Sequence, residues 1–308
     1  MKRGPRCLKL DYKEVALVDR EWMDRLFAMG ERGSLEYSFT TSFLWRHIYQ
    51  FTIARMDDYL IVKSDPKNPT YLFPVGQGPL EKVVEALAEE TRQLNIPLTF
   101  NTVLPGDKAR LEAMYPGRFE FTLWRDGADY IYETQSLATL SGKKLAAKRN
   151  HIHRFLDNHP TWQYEALTEK NIDEARQMNL AWCLQAGCAE DGSLNDEYCA
   201  VEQAFRHFSE LRLSGGLLRT EGRVVAFSIG DPLNEDTYLV HFEKAYADVQ
   251  GAYPMINQQF VLHNCMDYPY VNREEDAGVP GLRHAKMSYH PHRLVEKYIA
   301  TLKETGLK

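Results

Sequence analysis

The chain has 308 residues, enough for about two domains and a substantial core. Hydrophobic residues at 44% and charged residues at 26% match a folded globular protein and exclude a low-complexity or disordered one. The formal net charge of −6 argues against a surface built throughout for nucleic acid, so any polyanionic partner is met on a local patch.

Five cysteines, Cys7, Cys183, Cys188, Cys199 and Cys265, are odd in number and contain no CxxC, which predicts reduced thiols and a cytoplasmic location. No apolar run follows Met1, and none approaches the roughly 18 residues needed to cross a bilayer. Neither export nor a membrane span is expected.

In chain order, a helix is predicted around Glu21–Met29, then strands at Phe51–Arg55, Tyr59–Lys63 and Tyr71–Val75. Leu80, Val84, Leu87 and Leu94 recur at helical spacing, giving an amphipathic helix over Leu80–Leu94. Pro97–Val103 reads as a strand, Gly106–Tyr115 as a helix, and Phe119–Trp124 with Ala128–Tyr132 as two further strands. The first domain is placed at residues 1–132 and is mixed α+β. A second domain, 133–308, opens on a basic amphipathic helix, where Lys143, Lys144, Lys148, Arg149, His151, His153 and Arg154 gather with no acid before Asp157. Two core helices follow, Thr168–Gly187 and one beginning near Ser193. Gly216–Gly230 and Thr237–Lys244 then form a three-strand meander around a polar turn at Asp231–Asp236. Pro254 opens a helix that leads to a strand at Tyr268–Val271 and, through a Gly/Pro loop, to a last strand.

The stretch Tyr268–Tyr289 packs Asn272, Arg273, Glu274, Glu275, Asp276, Arg283 and Lys286 into one polar cluster after a strand. It reads either as a solvated ion-pair network or as a site where carboxylates, arginine and lysine converge on a substrate. Glu243 and Asp276 each follow a strand, so both are candidate bases facing one cleft, and each reads equally as a surface carboxylate. Tyr289 is a candidate proton donor or a packing residue. Lys148, Arg149 and Asn150, with Asn272, Arg273, Arg283 and Lys286, are candidate substrate-binding residues for a phosphate, a carboxylate or a tRNA 3′ end. His151-x-His153 and His290-x-His292 lack further ligands at zinc spacing, so no metal is expected. No Gly-x-Ser-x-Gly elbow, P-loop or dinucleotide fingerprint is present.

Two helices, an antiparallel meander, a helix and a strand pair form the element order of the GNAT acyltransferase fold. Three stretches are closer in their residues: Lys144-Leu-Ala-Ala-Lys-Arg-Asn-His-Ile-His-Arg-Phe, Tyr270-Val-Asn-Arg-Glu-Glu-Asp-Ala-Gly and Gly281-Leu-Arg-His-Ala-Lys-Met-Ser-Tyr-His-Pro. They resemble the uncharacterised bacterial family related to the phosphatidylglycerol lysyltransferase C-terminal domain. That family is similar to the tandem-GNAT, FemABX-like aminoacyltransferases. The resemblance implies an α+β fold of two tandem GNAT-like domains, each a mixed, mostly antiparallel sheet flanked by helices. It implies aminoacyl-tRNA as donor, an amine or lipid hydroxyl as acceptor on a small molecule, peptide or lipid head group, and no required cofactor. Two other readings stay open. One is a CoA-dependent N-acyltransferase, with Gln250 and Gly251 before a helix as the pyrophosphate cradle, although Tyr253 is bulky and Pro254 removes an N–H donor. The other is a non-catalytic binding module on the same fold.

Overall fold

The computed structural model describes residues 10–30 and 33–303, so Cys7 lies outside the described residues. The chain divides into two compact units, 1–128 with 295–308, and 129–294.

The first unit carries β1 (Lys13–Glu14), α1 (Arg20–Phe27), α2 (Phe39–Leu44), β2 (Thr52–Met56), β3 (Asp58–Ser64), β4 (Thr70–Leu72), β5 (Val75–Gln77), α3 (Leu80–Gln93), β6 (Thr99–Val103), α4 (Pro105–Met114) and β7 (Phe119–Leu123). The predicted helix over 80–94 forms because Leu80, Val83, Val84 and Leu87 make one stripe, and all four are buried in the core with Tyr71, Phe73 and Phe100.

The second unit carries β8 (Asp129–Glu133), α5 (Thr134–Thr139), α6 (Ala146–Asn158), β9 (Gln163–Ala166), α7 (Ile172–Ala186), α8 (Gly192–Arg206), β10 (Ser214–Thr220), β11 (Arg223–Pro232), β12 (Thr237–Ala245), α9 (Ala252–Asn264), β13 (Tyr270–Asn272), α10 (Pro280–Met287) and β14 (Arg293–Val295). Its sheet runs β14-β8-β13-β12-β11-β10-β9, with β12 and β13 parallel and the pairs β8–β13, β12–β11, β11–β10 and β10–β9 antiparallel. That parallel pair requires a crossover, which α9 supplies. Beside β11, Ile229 faces Phe242 while Gly230 faces Val240, so His241 is the extra residue of a β-bulge in β12.

Both units are thus mixed, mostly antiparallel sheets flanked by helices, as expected. Three expectations need correction. A strand β15 (Tyr298–Leu302) inserts between β6 and β7 of the first sheet, so the second domain does not run to residue 308. A pairing across nearly 200 residues leaves no local signature. The Gly/Pro stretch at 280–287 is helical, because Pro280 occupies the first helical position, where its fixed φ helps and its missing N–H costs nothing. Cys183 and Cys188 are joined by a disulfide. Gly187 ends α7 in a left-handed turn, φ 80°, and the Cys188 N–H bonds back to the Cys183 carbonyl at 3.1 Å, bringing the Cα atoms to 5.3 Å.

Ala300 is fully buried in β15. Ala300→Asp should cost the first unit about 3 kcal/mol or more by burying an unpaired carboxylate. Hydrogen exchange should show lost protection in β6 and β7; unchanged protection there contradicts the strand's placement.

Candidate functional site

β12 and β13 pair at only three positions, ending at Leu239 opposite Asn272. β12 continues for six residues and the other chain turns away, so side chains take over where backbone pairing stops. Arg273 Nη2 donates to Glu243 Oε1 at 2.8 Å, and Asn257 Nδ2 of α9 donates to Glu243 Oε2 at 2.9 Å. Arg273 and Glu243 are only 11% and 12% exposed. Arg273 Nη1 and Asn257 Oδ1 are buried with no hydrogen-bond partner among the described residues. Leaving a buried donor and acceptor unmade costs about 1–3 kcal/mol each, so a pair of them beside a charged couple marks a place a ligand would complete.

Aromatic rings and a second cation surround this couple. The Arg273 guanidinium lies 4.8 Å from the Tyr289 ring centre and 5.7 Å from that of Tyr132, and Lys148 Nζ lies 4.1 Å over Tyr289. Burial lowers the Lys148 pKa, neighbouring Arg273 lowers it further, and Glu243 opposes both. Burial raises the Tyr289 pKa well above the ordinary phenol value, against the pull of Arg273, so its hydroxyl stays protonated at neutral pH. The cluster therefore offers O–H and N–H donors and two cations against one carboxylate.

The rest of the predicted wall braces this arrangement. Asn272 is buried, donates to Asp129 Oδ2 at 3.0 Å and accepts the Glu274 N–H at 2.7 Å. Lys286 donates to the Arg273 carbonyl at 2.6 Å and to the Glu275 carbonyl, which spends a buried ammonium on holding the loop. Asp276 was expected to face a cleft with Glu243. Instead it takes Arg283 Nε and Nη2 at 2.9 and 2.7 Å, the Gly278 N–H at 2.9 Å and the Tyr130 hydroxyl. A fully buried carboxylate so engaged is a brace, and Arg283 is its counter-ion.

Arg149 donates to the carbonyls of Leu140 and Gly142, closing the end of α5, and Asn150 is exposed. Neither joins the Glu243 cluster. Gly251 caps α9 at φ 85°, and a Cβ there would come within 2.3 Å of the His151 carbonyl and 2.9 Å of Phe155. The glycine is needed for packing against α6. The Ala252 N–H already bonds Val249 O at 3.1 Å and Pro254 has no N–H, so this turn has two fewer donors to offer a pyrophosphate. Gln250 is exposed beside it.

Sequence reasoning missed Asn257, Tyr130, Tyr132 and a buried His241 between Asp231 and Glu274. Asp231, read as part of a turn, lies in β11 and is 2% exposed. No motif marks these residues, because a polar side chain among apolar neighbours on a strand or helix shows no partner until the unit is assembled.

Asp276→Asn should lower stability at pH 7 by about 3 kcal/mol, since it leaves Arg283 without its buried partner. The folded-state Asp276 pKa is lowered: burial raises it, but the bonds from Arg283, Tyr130 and Gly278 more than offset that. Its contribution is therefore complete above about pH 4 and is lost on further acidification, so the melting curves of variant and parent should converge there. Equal melting temperatures at pH 7 contradict the brace.

The chain matches the family described as phosphatidylglycerol lysyltransferase, C-terminal, over residues 27–301. A crystal structure of a conserved protein of unknown function from Bacteroides thetaiotaomicron is 38% identical, with a TM-score of 0.91 over 96% of this chain and 100% of that one. The L-PGS structure from Bacillus licheniformis, 17% identical, gives 0.63 over 93% of this chain and 92% of that one. A GNAT-family acetyltransferase from Colwellia psychrerythraea, 9% identical, gives 0.52 over 96% and 100%. These last two show the fold alone. An uncharacterised protein of Mycoplasmoides gallisepticum is 25% identical over 179 residues, which are 56% of this chain and 55% of that protein, so the match spans about half the length of that relative. Among the described residues, no helix is long and apolar enough to cross a membrane. The fold is GNAT-like, and the chain belongs to the phosphatidylglycerol lysyltransferase C-terminal family.

Proposed function

We infer that the protein is an aminoacyltransferase, taking its aminoacyl group from an aminoacyl-tRNA and passing it to an amine or a lipid hydroxyl. The observation that carries this reading is the Glu243–Arg273 couple with its two unfilled positions, Arg273 Nη1 and Asn257 Oδ1. Family membership supports this reaction class, and the groups gathered at the couple suit it.

In this reading the acceptor's nitrogen or oxygen attacks the ester carbonyl carbon, the new bond forms, and the ester C–O bond breaks. Charge develops on the carbonyl oxygen, where Arg273 Nη1 and Lys148 are the available donors. Glu243 has both oxygens engaged, so its part is to hold the guanidinium with one edge free. Tyr289, protonated, supplies the leaving hydroxyl's proton and regains one from the acceptor through solvent. The α-amino group of the aminoacyl moiety is a donor suited to Asn257 Oδ1. The packed turn at Gly251 supports tRNA over coenzyme A as donor.

Transfer from charged tRNAs to phosphatidylglycerol vesicles and to amine-bearing peptides tests the reading. Arg273→Gln should reduce the rate about 10²–10³-fold, the usual cost of one oxyanion donor, and Lys148→Met about tenfold. Absence of transfer from every charged tRNA, together with heat of binding from acetyl-CoA, would replace this reading with CoA-dependent acylation.

A further inference from the structure

Asp231, His241 and Glu274 lie on three adjoining segments and take no part in the transfer chemistry above. His241, the bulged residue of β12, is 1% exposed in its side chain. Its Nε2 lies 2.8 Å from Asp231 Oδ1 on β11, and its Nδ1 lies 3.0 Å from Glu274 Oε1 just after β13. An imidazole whose two nitrogens both face ionised carboxylates satisfies both only as the imidazolium, which donates twice; burial raises the Glu274 pKa, and His241 and Lys286 pull against that rise.

The location gives this arrangement its consequence. His241 is two residues before Glu243, and Glu274 directly follows Arg273. Two side-chain bridges in succession, His241 to Glu274 and Glu243 to Arg273, therefore span the strands where the β12–β13 ladder ends. Glu274 holds a left-handed backbone, φ 58°, that a non-glycine residue adopts only when its surroundings impose it. The Asn272 side chain on its N–H and His241 on its carboxylate are part of what imposes it.

We propose that His241 is a positioning residue: its paired carboxylate bonds tie β11 and β12 to the segment after β13 and so present Arg273 to Glu243 with the Nη1 edge free. This rests on the reading of the Glu243–Arg273 couple as the transfer site. Burial opposes the charged ring, but the bonds to Asp231 and Glu274 outweigh it and carry the His241 pKa up to about 9. Facing His241 are Asp231 from β11, Glu274 from the segment after β13 and the neighbouring Phe242 ring; behind Glu274 stand Lys286 of α10 and Asp129 of β8. Because the folded-state pKa is raised, the clamp is complete below the ordinary histidine value and is lost as pH rises through about 9. Removing one carboxylate brings that loss to lower pH.

The test uses the full chain with 15N-labelled histidine. In the parent protein both His241 nitrogens should be protonated at pH 7.5 and titrate near 9. In Asp231→Asn the titration should fall by at least a tenfold change in proton affinity. The Arg273 N–H, which bonds the Tyr130 carbonyl at 3.0 Å, should exchange at least tenfold faster across the same pH range once corrected for intrinsic rate. The alkaline limb of the transfer rate should move with it, and in a His241→Gln background Asp231→Asn should no longer move that limb. A His241 that titrates at its ordinary value overturns the proposal. So does Arg273 exchange that stays put while Asp231→Asn shifts the histidine. If no charged tRNA serves as donor, the transfer reading fails alone, and titration and exchange still decide the role of His241.

Discussion

A carboxylate and a guanidinium meeting where two parallel strands stop pairing is the constraint on which the second unit depends. A parallel strand pair needs a helical crossover, and the crossover α9 also brings Asn257 onto Glu243. Taking Arg273 and Glu243 out of water is costly unless each is met by a partner, and the structure meets that cost with one direct ion pair, an amide and two aromatic faces. What it leaves unmet is one guanidinium N–H edge and one amide oxygen, the two positions proposed to receive the donor.

Around the couple, charge is spent on rigidity. Lys286, Asp276 and Arg283 are all candidates for chemistry by residue type, yet each binds the loop that carries Arg273. The loop includes two non-glycine residues in left-handed backbone, Glu274 and Ala277, and such a path persists only when bonded from several sides. A site built on a chain turn gains from this the precision that a helix or strand would otherwise provide.

Much of the fold was legible because its signals are local. The stripe of α3, the β10–β12 meander and the helices at 172–206 follow from spacing and turn residues. β15 was not legible, since nothing near Tyr298 announces partners at Thr99 and Phe119. The site divided in the same way. Its neighbourhood was visible as a dense polar run after a strand, and Glu243, Arg273, Lys148 and Tyr289 do gather. Which members face a ligand and which brace the loop depends on contacts from Tyr130 and Asp129, well over a hundred positions away. Gly251 shows the converse: a glycine before a helix suggested a phosphate cradle, and its reason is the carbonyl of His151 pressed against it.

The central claim is that the unfilled edge of the Glu243–Arg273 couple receives the aminoacyl end of the donor. A stable 3′-aminoacylamido adenosine, in which an amide replaces the donor's labile ester and the free amine is kept, can be titrated into protein labelled at arginine and asparagine side chains. The account predicts that it binds and shifts the Arg273 guanidinium and Asn257 amide resonances together. Binding that leaves both resonances unmoved would contradict it.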